Sequence, residues 1–271
     1  MTCDLHPDLM RIEKERQHSC AVFASSPRCA DAIRQFIADH SDRRLHLALL
    51  EAGTNASPRR KAEPTLGALT LGPGLSRWSG VPGNVRSFRP SSGIDPAFLL
   101  STARIVWFHD LSDPIPPEAT TATWACAINV ALAARFGLPV SVYDATGRPV
   151  ATPLTGRFAD AINDDLFQWE AHRRRFTDQV CGEGLRFDPN ICEPALWSRR
   201  GGAIDVGSLA LPQDLTWRIR RLEKWFDEGD PGVGVDEALW DAIVAEGWAC
   251  IADLKAALGA HVEIEMKILS S

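Results

Sequence analysis

Over roughly the first 150 residues, short apolar runs alternate with amphipathic stretches of helical period. Cys20-Ala21-Val22-Phe23-Ala24, bounded by Ser25-Ser26-Pro27, is too short for a helix and reads as a buried strand. Pro27 suits the first turn of a helix that carries Ala30, Ile33, Phe36 and Ile37 on one stripe as far as His40. A second strand is expected at 45–50, after the polar turn Ser41-Asp42-Arg43-Arg44. A third, Ile105-Val106-Trp107-Phe108, halts at His109-Asp110, and a Pro-rich turn follows at 113–117. The Ala-rich stretch 119–136 then repeats Trp124, Ile128, Ala131 and Leu132 at helical spacing, with Gly137 placed as its C-cap and a fourth strand at 139–143. Strand, helix, strand with one crossover is a βαβ unit and implies a parallel sheet. The pattern therefore predicts an α/β fold with a small doubly wound parallel sheet over residues 1–154.

Residues 53–92 break this rhythm. They are rich in Gly and Pro and carry Arg59, Arg60, Lys61, Arg77, Arg86 and Arg89, so they read as an irregular basic insert within the α/β domain. Residues 155–207 are expected to be a linking helix at 155–176, with Arg173-Arg174-Arg175 near its C-terminus, and then an irregular segment. Residues 208–271 form a third region, mainly helical. Leu215, Ile219, Leu222 and Phe226 make one helical seam, and Leu239, Ile243, Val244, Leu254 and Leu258 a second, in which Gly247 is a candidate break or bend and which Gly259 stops. The alternation from His261 to Ile268 predicts a terminal edge strand.

Composition narrows the function classes. A net charge of -6 argues against a general nucleic-acid or anionic-membrane binder. Seven scattered cysteines without CxxC spacing suit reduced thiols, and no basic-then-apolar leader opens the sequence. The most apolar segment is interrupted by Asn129 and Arg135. The expectation is a cytoplasmic protein without a membrane span. Its acidity is concentrated in the last sixty or so residues.

In a doubly wound sheet, ligands bind beyond the carboxyl ends of the strands where strand order reverses. The residues expected at that crevice are Ser25, Ser26, Glu51, His109, Asp110, Asp113 and Asp144. No Gly-rich phosphate loop follows any strand, no GxSxG elbow opens a helix, and no HExxH, CxxC or paired-His spacing marks a metal site. No cofactor and no metal are therefore expected. His109 and Asp110 are the best catalytic pair the sequence offers.

Two resemblances add to this. The Asp-rich turn, the Ala-rich helix and Gly137-Leu138-Pro139-Val140 resemble the corresponding part of the nucleoside deoxyribosyltransferase and TIR-like group. That resemblance implies a flavodoxin/TIR-like scaffold and a nucleotide- or nucleoside-processing enzyme with a catalytic glutamate on the helix. Here no carboxylate stands between Glu118 and Asp144, and Asn129 cannot serve as a carboxylate nucleophile. Scaffold without chemistry, or a non-catalytic nucleotide sensor, is what remains of it.

The second lies in Leu211-Pro212, Leu215, Arg218-Ile219, Trp225-Phe226, the acidic turn, Glu246-Gly247, Asp253-Leu254-Lys255, Leu258-Gly259 and Val262-Glu263-Ile264-Glu265. Together these resemble the tail of bacterial immunity proteins that guard against polymorphic or type VI secretion toxins. The resemblance implies a non-enzymatic cytoplasmic inhibitor that binds one cognate toxin, with a nuclease the expected kind. A nuclease cleft is basic, so Glu223, Asp227, Glu228, Asp230, Asp236 and Glu237 would face it, with Trp225 or Trp240 as anchors. Silencing a toxin calls for a Kd of about 1 nM, near -12 kcal/mol, from an interface of about 1,600 Å².

Overall fold

The structure, a computed structural model, describes residues 7–24, 26–40, 43–51, 70–71, 85–87, 96–112, 121–188, 194–228 and 237–267. The chain divides into two units, one made of residues 17–167 and the other of residues 1–16 with 168–271. The boundary expected at residue 154 falls instead inside a long helix, and the first sixteen residues belong with the C-terminal unit.

The α/β unit is built around β1 (Ser19–Ala24), every residue of which is buried. Its parallel neighbours are β2 (Arg44–Glu51) and β5 (Arg104–Phe108), in registers that pair Val22 with Leu47 and with Val106. β6 (Val140–Tyr143) adds in parallel beside β5. Burial of β1 throughout and of β5 from Ile105 to Phe108 explains why these two strands read as continuous apolar runs rather than as alternation. The expected basic insert also supplies two short strands. β3 (Thr70–Leu71) pairs antiparallel with the end of β2, and β4 (Val85–Ser87) pairs parallel with its start. The rest of 53–92 lies outside the described residues.

Helices cover both faces of this sheet. A 3-10 turn at Pro27–Cys29 leads into α2 (Ala30–Asp39), whose Ile33, Phe36 and Ile37 pack with Cys20, Val22, Ala24, Val106 and Phe108. Each fully buried side chain of that size stabilises by roughly 1.5–3 kcal/mol. α3 (Pro96–Leu100) meets the other face, where the Phe98 ring stands edge-on to Phe23. α4 (Thr121–Arg135) also packs on the sheet and buries Ala125, Cys126, Ala127, Ile128, Val130, Leu132 and Ala133. Its C-terminus closes as the Gly137 cap predicts. Gly137 has a φ of 72°, its N–H donates to Ala134 O, and the Leu138 N–H reaches Ala133 O. The helix expected over 155–176 runs longer, as α5 (Gly156–Glu183), so Arg173-Arg174-Arg175 lie inside it rather than at its end.

The second unit opens with a helix that the sequence reading left out. In α1 (Pro7–Gln17), Leu9 and Ile12 are buried, although the segment is too polar for a strong helical signal. Residues 181–207, expected to be irregular, hold β7 (Leu185–Phe187), β8 (Leu196–Ser198) and β9 (Ala203–Ile204), joined as antiparallel neighbours. Strands of two or three residues leave no period to detect. β10 (Ile264–Met266) pairs parallel with β7 and takes the edge position expected of the terminal strand. α6 (Gln213–Glu228) and α7 (Glu237–Leu258) pack together, and α7 continues through a buried Gly247 without a break.

Candidate functional site

The strand order β2-β1-β5-β6 reverses between β1 and β5, so their carboxyl ends are where a parallel sheet of this order places its crevice. The structure brings Ser26 and Asp110 together there. Asp110 is only 5% exposed. Its Oδ1 accepts from Ser112 N at 2.9 Å and from Ser112 Oγ at 2.7 Å, while Oδ2 accepts from Ser26 Oγ at 3.0 Å. The Arg28 guanidinium lies 3.6 Å from Oδ2 and donates to Ser112 Oγ at 2.6 Å. Burial pushes the Asp110 pKa up, but the Ser112 and Ser26 hydrogen bonds and the Arg28 charge outweigh it and hold the carboxyl below its usual range.

The other expected crevice residues separate. His109 is buried, its backbone N–H donating to Tyr143 O at 2.8 Å and its ring 4.8 Å from that of Trp107. Asp144 closes its own turn, with Oδ1 accepting from Thr146 N, Thr146 Oγ1 and Arg148 N, and Gly147 in the left-handed region at a φ of 82°. The Thr146 hydroxyl above all, then the Arg148 amide, holds its pKa down. It serves as a turn anchor. Glu51 ends β2, but its side chain, like Ser25 and Asp113, lies outside the described residues. On α4, the Asn129 amide donates to Ala125 O inside the helix and Trp124 Nε1 donates to Asp165 on α5. Both act within the fold.

In the second unit, two of the residues expected to meet a toxin are internal. Glu223 is 4% exposed; its Oε1 accepts from Ala195 N at 2.8 Å and its Oε2 from Arg220 at 2.8 Å. Burial, countered in part by Arg220, raises its pKa. Trp225 is 7% exposed. Both face the unit's interior because they lie on the same side of α6 as Leu215 and Leu222, which corrects their assignment to a surface. Glu237 is exposed and Trp240 half-buried on α7. Asp230 and Asp236 lie outside the described residues, as do the side chains of Asp227 and Glu228 on α6.

A polar network missing from the sequence reading ties α1, α6 and α7 together. Glu13 accepts from Trp217 Nε1 at 2.7 Å and from Arg16 at 2.9 Å, and lies 3.7 Å from Arg221. Arg221, buried, reaches Glu246 at 2.7 Å; Arg218 reaches Glu246 at 2.9 Å and also Asp253. Nothing local signals a contact between residues 13 and 221. Trp248 was missed too, and a helical wheel would have found it, because it stands opposite Leu239, Ile243 and Leu254 on α7. It is 57% exposed.

Among the described residues, no three His, Cys, Asp or Glu side chains gather in a way that could hold a metal ion, and no helix is long and apolar enough to cross a membrane. No family model matches the chain, and neither a curated protein nor a solved structure is detectably similar to it.

Proposed function

We propose that this chain is an immunity protein, which binds a cognate secreted bacterial toxin and blocks it by direct contact, with a nuclease effector of a type VI secretion system as the expected target. On this reading the parallel sheet is a doubly wound scaffold of flavodoxin or TIR-like type, used for its rigidity, and the protein acts in the cytoplasm without a cofactor. The observation that carries the choice of grip over turnover is the state of Asp110. Ser112 fills Oδ1 with two hydrogen bonds, Ser26 bonds Oδ2 with the Arg28 charge 3.6 Å away, and together they hold the carboxyl below its usual range, which makes it a weak base. A general base needs a free lone pair within reach of substrate, and a nucleophile needs an open approach. Support for a toxin as the partner comes from the likeness of residues 211–265 to immunity-protein tails.

The surface proposed to meet the toxin is the acidic connection between α6 and α7, with Asp227, Glu228, Asp230, Asp236 and Glu237 attracting a basic cleft and Trp240 at its margin. The test is co-expression with the toxin encoded by the neighbouring gene. The chain is expected to rescue growth and to co-purify with that toxin at a one-to-one ratio. Reversing the five charges to lysine is expected to abolish both. Unprotected cells would end the reading, and turnover of a nucleoside or NAD lost in Asp110→Ala would replace it with an enzymatic one.

A further inference from the structure

The outer face of α7 holds a large aromatic side chain in water, and the residues around it are arranged as their own complement. Leu239, Ile243, Gly247, Cys250, Ile251 and Leu254 are buried in the unit. On the opposite face Ala238, Asp241, Ala245, Trp248, Ala252 and Lys255 are all exposed, at spacings of three and four residues. That is the spacing of a helix–helix seam. Alanine on each side of a single bulky residue lets a second helix approach closely and leaves shallow sites into which a ring can seat. An exposed tryptophan so placed is the residue type that most often anchors an interface.

The charges specify the occupant. Asp241 stands seven residues before Trp248 and Lys255 seven residues after it. If a copy of α7 is laid antiparallel, with the two-fold axis near Trp248, Asp241 of each chain comes beside Lys255 of the other. A parallel copy would oppose Asp to Asp and Lys to Lys. Two-fold symmetry makes every such contact occur twice, so the stripe is self-complementary in charge as well as in shape.

We propose that two copies of this chain associate antiparallel along the exposed face of α7, with Trp248 of each packed among Ala245 and Ala252 of its partner and an Asp241–Lys255 pair at either end. This association is separate from toxin neutralisation, and its test requires no toxin.

The mass of the purified full chain is followed by sedimentation equilibrium over a wide concentration range. It is expected to rise from 29.7 kDa toward twice that value as concentration increases. Trp248→Asp is expected to remain monomeric. Asp241→Lys alone and Lys255→Asp alone should each weaken association by about tenfold, since either substitution sets two like-charge contacts in the dimer. The double substitution should restore it. Because all three residues are exposed, circular dichroism should be unchanged, as should the melting temperature at concentrations where the wild type is monomeric, and the restored double variant guards against a folding artefact. A wild-type chain that stays monomeric throughout would overturn the proposal and leave Trp248 to a different partner. A dimer indifferent to Trp248→Asp, or one that the double substitution fails to restore, would overturn it equally.

Discussion

Both units bury a carboxylate, and their surroundings push the two in opposite directions. Asp110, at the strand ends of the α/β unit, collects the Ser26 hydroxyl, the Ser112 hydroxyl and amide and the Arg28 charge, so burial is overcome and its pKa falls. Glu223, on α6 in the other unit, receives the Ala195 amide and a largely exposed Arg220, with the negative charge of Asp205 nearby, so burial prevails and its pKa rises. Two differences decide: more donors are aimed at Asp110, and Asp110 lies just beneath the surface whereas Glu223 lies deep. The first is a fixed anion that holds two strand ends in place; the second is a charge kept in the interior at some cost. The second unit contains further internal charge, in the Glu13, Arg218, Arg221, Glu246 and Asp253 network. The α/β unit is held mainly by apolar packing.

That contrast predicts where substitution does the most damage. Among the described residues, Glu246→Ala leaves the buried Arg221 with Glu13 at 3.7 Å as its one remaining carboxylate, and strips Arg218 of its bidentate partner. Removing one side of a buried pair costs about 3–5 kcal/mol, the largest effect expected. Urea unfolding read through hydrogen exchange in α6 and α7 would measure it. Asp110→Ala should cost less, about 1–3 kcal/mol, because Arg28 is mostly solvated and loses little when its partner goes. A greater loss from Asp110→Ala than from Glu246→Ala would reverse the comparison.

Smaller effects are expected at the helix ends, again one in each unit. Gly137, after α4, has a φ of 72° and open space where a Cβ would stand, so Gly137→Ala costs only the left-handed backbone, about 1–2 kcal/mol. Gly259, after α7, has a φ of 106°, and a Cβ there would come within 2.7 Å of the His261 ring. Gly259→Ala should therefore cost more, through that contact and through a φ beyond the left-handed well, and adding His261→Ala should recover the part due to the contact. Melting temperatures of the three variants would decide it.

The parallel strands, α2, α4 and its Gly137 cap were legible because each depends on residues close in sequence: a buried apolar run, a stripe of period 3.6, a glycine after it. The Asp110 cluster was legible in part. Ser26 and Asp110 could be placed at one crevice from strand order alone, but Arg28 and Ser112 could not, since a guanidinium's reach is set by tertiary geometry. Glu223 and Trp225 were misplaced for a similar reason. An acidic residue in an acidic region reads as solvated, and only the closeness of Ala195, twenty-eight positions away, shows that it is internal. β7, β8 and β9 had no period to reveal them, and α1 owes its place to Glu13 meeting α6 some two hundred residues on.

The last prediction tests the opening contrast through pH, and it is the smallest in size. An Asp carboxyl titrates near 3.9 in an unfolded chain and a Glu near 4.3. The folded pKa of Asp110 is lower than its unfolded one, so its contribution is complete above the unfolded value and is lost as pH falls through the folded value. Glu223 has the opposite sign: its folded pKa is higher, so its contribution is complete below the unfolded value and is lost as pH rises through the folded one. Asp110→Asn should flatten the acid side of the stability curve. Glu223→Gln keeps an acceptor for the Ala195 amide but carries no charge, so it should gain stability relative to wild type as pH rises from acid toward neutral. Denaturant unfolding of the three proteins at a series of pH values reads both slopes. If Glu223→Gln ran parallel to wild type across that range, the charge would be as comfortable at Glu223 in the folded protein as in the unfolded chain, and burial would not prevail there.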